Sequence, residues 1–381
     1  MKFKARPLDE QVILLTGATS GIGLATARHL AGKGARLVLV ARGEEALNAL
    51  AAEIGERAIA HPADVADRAA LSAAAEAAIA RWGRLDTWIN DAGVAIYGRT
   101  EDVPEDEQRR LFETNYWGAL NGMLEALALH RKHGAPNKIV TVGSALSDRT
   151  MIYQGTYSAS KHAIKAITDA LRMEVQAEGL PLSITLIKPG SVDTPYMEHA
   201  SNHLQSQGTR NPPVAYAPEL VAEAIANACT RHVRDIDVGG IGWATSKAGQ
   251  LAPGLMDQVM QMIGRMAQVS DRPPRPGMRD NLEQAARGGE ERSNQPGPSP
   301  KRFSLLTSAE MHPLAASGLA VALGLGAMAL MQGQQARRRR AEPSGRPMSG
   351  ASPALDPRVM PAGASAPADR APRYGGGTSP V

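Results

Sequence analysis

The chain has 381 residues, enough for one large α/β domain with additions, and 43% are hydrophobic but only 4% aromatic, so aliphatic side chains must fill the core. A single cysteine, Cys229, excludes an internal disulfide, and nine histidines without metal-ligand spacing to cysteine or carboxylates argue against a metal site. The net charge of +4 sits at one end: residues 271–381 hold 15 Lys/Arg against 9 Asp/Glu, leaving 27 against 29 elsewhere, so the main part of the chain gives no support to nucleic-acid binding.

Met1 to Glu10 carries charges and no apolar run, unlike a secretory signal, so residues 1–270 are expected in the cytoplasm. From there, short β-rich runs alternate with helical patterns. The expected strands are Val12 to Leu15, Leu37 to Val40, Ala58 to His61, Thr87 to Asn90, Ile139 to Val142, Ser183 to Ile187 and Ile236 to Val238. Amphipathic stretches lie between them, notably Asp67 to Trp82 and Ser158 to Glu178. This rhythm predicts a doubly wound parallel sheet of about seven strands with helices on both faces. The strands are apolar runs rather than alternations, as burial on both faces requires. Ligands of such sheets bind at the carboxyl ends of the strands. Cys229 falls on an apolar helical stretch and reads as core packing rather than a reactive thiol.

The first expected strand runs into Thr16-Gly17-Ala18-Thr19-Ser20-Gly21-Ile22-Gly23, followed by a helical pattern from Ile22 to Lys33. Gly17 permits a sharp turn, while Gly21 and Gly23 let the backbone approach a pyrophosphate at a helix N-terminus. A tight turn alone would explain two of the three glycines; its place between strand and helix favours a nucleotide. No Gly-Lys-Ser/Thr ending follows, which excludes an NTPase phosphate loop. The second strand ends in Leu39-Val40-Ala41-Arg42. Ala41 lacks the carboxylate that would bind a ribose diol and repel a 2′-phosphate, and Arg42 offers a bidentate phosphate donor. Together they favour NADP(H) over NAD(H). The opposing reading is a surface arginine, with Glu44 and Glu45 opening the next helix.

Tyr157 and Lys161 are four residues apart, on one face of a helical pattern. A free tyrosine titrates near ~10, and a neighbouring ammonium, together with the positive charge of an oxidised nicotinamide, favours its phenolate. So tuned, Tyr157 can exchange a proton with a carbonyl or alcohol oxygen while hydride moves. Ser144, just past a strand, can hydrogen-bond the same oxygen and stabilise its developing charge. Each has a bland counterpart: surface decoration for the Tyr/Lys pair, a turn or cap for the serine.

These motifs, in this order, resemble the short-chain dehydrogenase/reductase family over about residues 10–265, in its compact TGxxxGxG and YxxxK branch. The octet Thr16 to Gly23 has the TGxxxGxG spacing, which differs from the TGxxGxxG of epimerase and dehydratase relatives. Asn90-Asp91-Ala92-Gly93 matches the family's fourth-strand signature, with Asp91 in place of its second asparagine. Tyr157-Ser158-Ala159-Ser160-Lys161 matches the catalytic signature, with Ser144 as its partner and Asn115 as the active-site asparagine. Pro189-Gly190-Ser191-Val192-Asp193-Thr194 matches the segment that family members fold over the nicotinamide. Asp64-Val65 matches the adenine-contacting pair, although an aspartate there also suits a helix cap. The resemblance implies a Rossmann-type fold and an oxidoreductase acting on a small carbonyl or alcohol. It implies a cofactor held by Gly17, Thr19, Ser20, Gly21, Ile22, Gly23, Arg42, Asp64, Val65, Asn90, Ala92, Gly93, Tyr157, Lys161, Pro189, Gly190, Val192 and Thr194. Asn115 would hold a water linking Lys161 to solvent, and Lys161 would also hold the nicotinamide ribose. Loops Ala145 to Thr156 and Tyr196 to Tyr216 would form the substrate pocket, with Met151, Ile152, Tyr153, Met197 and Leu204. The helical pattern from Ser158 to Glu178 carries Ala163, Ile167 and Leu171 as outer apolar residues, unless they face the protein's own sheet, and the resemblance implies a homo-oligomer paired through this helix and the one before it. Tyr216 to Met266 is similar to membrane-associated members of the family. A function from another class, a non-catalytic dinucleotide sensor or scaffold tethered by its tail, has no need of the Tyr/Lys pair.

The character of the sequence changes near Ser270. Residues 271–303 are rich in Pro, Gly, Arg and Glu and read as a flexible linker. Residues 304–336 contain an 18-residue run without charge, Leu314 to Met331, followed by Arg337 to Arg340. Eighteen residues is near the lower limit for a membrane span, and six Ala and three Gly weaken it. A span with a cytoplasmic C-terminus would put the dehydrogenase part outside, away from NADPH. A tail dipping into one leaflet resolves the conflict, and a helix packed on protein is the soluble alternative. Residues 337–381, basic then Pro/Gly/Ala-rich, are expected to be disordered.

Overall fold

The computed structural model describes residues 5–204, 207–210, 212, 214–270, 280–295, 297–318, 328, 331 and 332. The chain divides into two units, Met1–Val321 and Ala322–Val381, and the sheet with its helices belongs to the first. Its central strands are β1 (Val12–Thr16), β2 (Arg36–Ala41), β3 (Ala58–Pro62), β4 (Thr87–Asn90), β5 (Lys138–Val142), β6 (Ser183–Pro189) and β7 (Asp235–Val238). They form one parallel sheet of seven strands in the order β3-β2-β1-β4-β5-β6-β7. Every expected strand is present and differs by at most two residues at an end. β1, β4 and β5 are buried throughout, which is why they read as continuous apolar runs.

Helices α1 (Gly21–Gly32), α2 (Glu44–Ile54), α3 (Arg68–Trp82), α4 (Glu105–Phe112), α5 (Ala119–His133), α6 (Gly155–Ala177) and α7 (Pro218–Thr230) flank the sheet. Two core clusters result. One packs α1 and α7 against β1, β2 and β7, through residues such as Leu24, Leu30, Val221 and Ile225. The other packs α3, α5 and α6 on the opposite face, through Leu71, Ala74, Met123 and Leu171. Small alanines let helices sit close to the sheet, which explains how a chain poor in aromatics fills its core. Asp67 caps α3 by accepting the Ala69 and Ala70 amides at 2.9 and 3.2 Å. Cys229 is buried on α7, and burial pushes its thiol up to about 12, consistent with packing rather than reactivity.

One sequence expectation fails here. Leu171 is buried in the protein's own core and Ile167 packs beside it, so they do not form an outward apolar stripe on α6. An amphipathic helix has one apolar face, and the sheet claims it. The motive drawn from these residues for subunit pairing is therefore absent.

Beyond β7 the chain forms α8 (Gly240–Leu251), α9 (Pro253–Gln268) and α10 (Leu305–Met311). Of the stretch read as a linker, residues 280–295 and 297–303 lie within the first unit, and Leu282 is buried. One apolar anchor and backbone hydrogen bonds hold this Pro/Gly-rich strap, contacts that composition does not report. The run Leu314 to Met331 falls largely outside the described residues, as do residues 333–381. Among the described residues, no helix is long and apolar enough to cross a membrane.

Candidate active site

The strand order reverses between β1 and β4, and the carboxyl ends of these parallel strands are tied together. The Thr16 hydroxyl accepts the Asp91 and Ala92 amides at 3.1 and 3.2 Å. Gly17 follows with φ 73°, and a Cβ there would come within 2.8 Å of the Ala92 backbone. Glycine is required on both counts. A Cβ on Gly23 would collide with the Gly17 carbonyl, so α1 can start directly under the turn. The first amide of α1 to pair within the helix is Leu24, with Ser20 at 3.2 Å. Earlier amides lack helical partners, the arrangement that receives a phosphate. One of them, Gly21, donates instead to the Glu290 carbonyl at 2.9 Å.

Arg42 stands where the sequence places it, at the end of β2. Its terminal nitrogens, however, donate to backbone carbonyls: Leu282 at 3.0 Å, Glu283 at 3.3 Å, and also Asn281 and Gln284. Asp64 is not the cap of α3, a role Asp67 holds. It accepts the Ala66 amide at 2.9 Å and pairs with Arg110. Burial works against its charge, but these partners hold its carboxyl below the ordinary range.

Ser144, Tyr157 and Lys161 meet at the carboxyl end of β5 and line one cavity. Ser144 caps a short 3-10 turn, accepting the Leu146 amide at 3.0 Å, while its own amide donates to the Ser147 hydroxyl at 3.1 Å. The bland reading of the serine as a cap is thus true, and the cap also fixes its hydroxyl beside Tyr157. On α6, Lys161 donates to the Val142 carbonyl at 3.0 Å, and its ammonium lies 5.8 Å from the Tyr157 ring centre. Asn115 sits behind this set, on a π-helical turn over Glu113–Gly118. Its side chain bridges the Val94 amide (2.8 Å), the Val94 carbonyl (3.0 Å) and the Ser160 hydroxyl (3.1 Å).

Burial governs the titration of the buried groups at this site. Burial holds the Tyr157 phenol above its ordinary value, although the Tyr196 and Ser144 hydroxyls pull the other way. Burial also brings Lys161 down to about 8, with Asp91 opposing. Asp91 is pushed up to about 7 by burial, against the pull of Lys161. Lys161 alone therefore does not bring the phenol down. For the phenol, burial outweighs the help of its two hydroxyl partners.

The cavity has a volume of about 630 Å³ and extends from the glycine turn to the tyrosine. Of the sequence-derived cofactor residues, Gly17, Thr19, Ser20, Gly21, Ile22, Arg42, Asp64, Val65, Ala92, Gly93, Pro189, Gly190, Val192 and Thr194 line it with Tyr157 and Lys161. Two of them, Gly23 and Asn90, do not line it, and neither does the catalytic candidate Asn115. Gly23 is packing beneath the turn. Asn90 accepts from Trp88 Nε1 at 2.9 Å and donates to Thr141 at 3.3 Å, locking β4 to its neighbour β5. Asn115 supports the strand end from behind.

The substrate end holds Leu146, Met151, Gln154, Tyr196 and Met197, but Ile152, Tyr153 and Leu204 do not line it. Sequence reasoning missed two contributors. Tyr196 meets Tyr157 edge-on, ring centres 5.4 Å apart, and its hydroxyl accepts from Gln154 at 3.2 Å. α8 and α9 supply an apolar wall with Ile241, Met256, Val259, Met260, Ile263 and Ala267. The α9 members recur at helical spacing, a legible signal that names a face but not what it meets.

The short chain dehydrogenase family model matches residues 11–205. An uncharacterized oxidoreductase of Bacillus subtilis, YxnA, is 40% identical over 325 residues, covering 84% of this chain and 91% of its own. Two solved structures are also similar. An alcohol dehydrogenase from Thermococcus sibiricus, complexed with 5-hydroxy-NADP, aligns with a TM-score of 0.52 at 25% identity, over 60% of this chain and 95% of that one. A 3-ketoacyl-(acyl-carrier-protein) reductase from Brucella melitensis, complexed with NADH, gives 0.54 at 28% identity, over 61% and 98%.

Proposed function

The chain belongs to the short-chain dehydrogenase family, and on that premise we propose that it is an NADP(H)-dependent carbonyl reductase or alcohol dehydrogenase in which Tyr157 moves the proton. One observation carries the reading: Ser144, Tyr157 and Lys161 converge in the same cavity that the glycine turn opens into. The turn fits a dinucleotide because Gly17 and Gly23 leave no room for a Cβ, which lets α1 start directly under the turn and brings the residues at its N-terminus, Ser20, Gly21 and Ile22, to the cavity. When bound, the nicotinamide supplies or accepts the hydride. Gly21, Ile22 and Thr194 would hold the cofactor near its pyrophosphate, and Lys161 near its ribose. Ala41 puts no carboxylate at the end of β2 to repel a 2′-phosphate, which favours NADP(H).

In reduction, the Tyr157 hydroxyl gives its proton to the substrate's carbonyl oxygen as the carbon is reduced. The Ser144 hydroxyl donates a hydrogen bond to that oxygen and stabilises its charge. Tyr196 keeps the Tyr157 ring in place and excludes water beside it. A phenol raised by burial is protonated at neutral pH, which suits the reductive direction. Oxidation requires the phenolate, so its rate should climb with pH. The apolar wall of α8 and α9 suits a substrate with an apolar body around its carbonyl.

The test is NADPH oxidation by the full chain against a panel of aldehydes, ketones and ketoesters. Turnover on a panel member, lost in Tyr157→Phe, is expected. Tight dinucleotide binding with no turnover on any substrate class would instead favour the sensor. The charge-free run Leu314 to Met331 beside Arg337 to Arg340 supports a further part of the proposal, that the tail brings the enzyme to a membrane surface. Fractionation of cells expressing the full chain checks it, and recovery wholly in the soluble fraction would oppose it.

A further inference from the structure

The family match ends at residue 205, yet one wall of the dinucleotide cavity comes from far beyond it. Asn281, Ala285, Ala286, Arg287 and Gly288 line the cavity on the side of Thr19, Arg42 and Asp64. This strap is fastened at several independent points. The Arg42 guanidinium gathers the carbonyls of residues 281–284. Leu282 is buried in an apolar cluster with Met197 and Leu204. The Gly289 amide donates to the Thr19 carbonyl at 2.8 Å, and the Glu290 carbonyl accepts the Gly21 amide at 2.9 Å. Past them, Arg292 pairs with Glu219 at 2.6 Å, and the Ser293 hydroxyl donates to Glu198 at 2.6 Å. Gly288 lies so close to the glycine turn that a Cβ there would be 2.6 Å from the Ala46 Cβ and 2.9 Å from the Thr19 oxygen.

Such fastening puts Arg287 in a defined place. It is held between Ala285, which lies against Gly43, and Gly288, which lies against Thr19 and Ala46. That is the end of β2, where a doubly wound sheet receives the adenosine ribose. Arg287 lines the cavity, is exposed, and forms no ion pair with a described residue. Arg42, by contrast, has its terminal nitrogens engaged by carbonyls. A free guanidinium at the ribose end is matched by a phosphate, with which it forms charge-assisted, bidentate hydrogen bonds. Resting on the cofactor reading above, we propose that the strap is part of the NADP(H) site, with Arg42 as its latch and Arg287 as the cation that meets the adenosine 2′-phosphate. Arg42 is then a positioning residue, and the contact belongs to a residue more than 240 positions later in the chain.

The experiment uses the full chain and reads binding, not turnover. NADPH and NADH dissociation constants are measured by nicotinamide fluorescence for the wild type, Arg287→Gln, Arg287→Lys and Gly288→Val, with adenosine 2′,5′-bisphosphate as a competing probe. Arg287 is exposed, so melting curves of its two variants should match the wild type. Arg287→Gln should weaken NADPH and the bisphosphate about tenfold or more, and NADH less than about twofold. Arg287→Lys should recover part of the loss. Gly288→Val, which moves the strap without touching the cation, should also reduce the preference for NADPH. Unchanged NADPH binding in Arg287→Gln, or equal losses for both nucleotides, would overturn the assignment while leaving the hydride-transfer reading intact. A wild type that binds neither nucleotide would overturn both.

Discussion

The two ends of the cavity are built in opposite ways. At the catalytic end, Tyr157 and Lys161 share one helical turn of α6, and Ser144 stands at the end of the strand that precedes it. Their spacing is short and their geometry follows from regular secondary structure. At the adenosine end, Arg42 meets residues 281–284 and Gly21 meets Glu290, partners separated by most of the folded chain. Chemistry that must hold for any substrate sits on rigid neighbouring elements. The end proposed to receive the adenosine is closed by an extension outside the family match.

The comparison sharpens most at Tyr157. Tyr157→Phe removes one hydroxyl and keeps the ring against Tyr196, so turnover should fall by about 10² to 10⁴-fold while NADPH affinity stays near the wild type. Steady-state rates with an identified carbonyl, alongside fluorescence titration, check both halves. A variant retaining most of its turnover would remove tyrosine from the mechanism.

Lys161→Ala should affect both properties. It deletes an ammonium buried beside the phenol and a ribose partner, so both kcat and NADPH affinity should drop, kcat by less than in Tyr157→Phe. Intact affinity would confine Lys161 to the proton step.

Arg42→Ala breaks the other end alone. Losing the latch should weaken NADPH about tenfold and speed its release in stopped-flow traces, with kcat at saturating cofactor little changed. A large fall in kcat with normal release would mean that the two ends are not separable.

A smaller effect is expected at Asp91, which lies between the ends. Its carboxylate supports the charge of Lys161, which burial brings down to about 8. In Asp91→Asn that support is gone and Lys161 falls further, so the alkaline limb of NADPH binding should move to lower pH. A pH series of titrations shows the shift, and identical limbs would indicate that the two groups do not interact.

The smallest effect concerns α10, the helix that follows the strap. Glu310 accepts the Asp237 amide at 2.6 Å, and burial pushes it up to about 7. A carboxyl raised above its unfolded value favours the fold while protonated, and that contribution is lost as pH rises through about 7. Glu310→Gln keeps the acceptor without the charge. It should raise Tm by about 2 °C at alkaline pH and leave it unchanged near pH 5. A higher Tm at both pH values would assign the effect to packing.

The sheet, its strands to within two residues, the glycine turn and the grouping of Ser144, Tyr157 and Lys161 were legible in the sequence. Each of these is written in local spacing: apolar runs for buried strands, four residues for a helical turn, glycines where a Cβ does not fit. That Asn90 locks two strands, that Leu171 faces inward and that α8 and α9 wall the cavity came from the fold, because packing depends on what the fold brings alongside. The strap was illegible for a more general reason. Arg42 and Gly21 meet main-chain carbonyls, and the carbonyl of one residue is the same as that of any other, so no residue type in the sequence marks where such a contact will form.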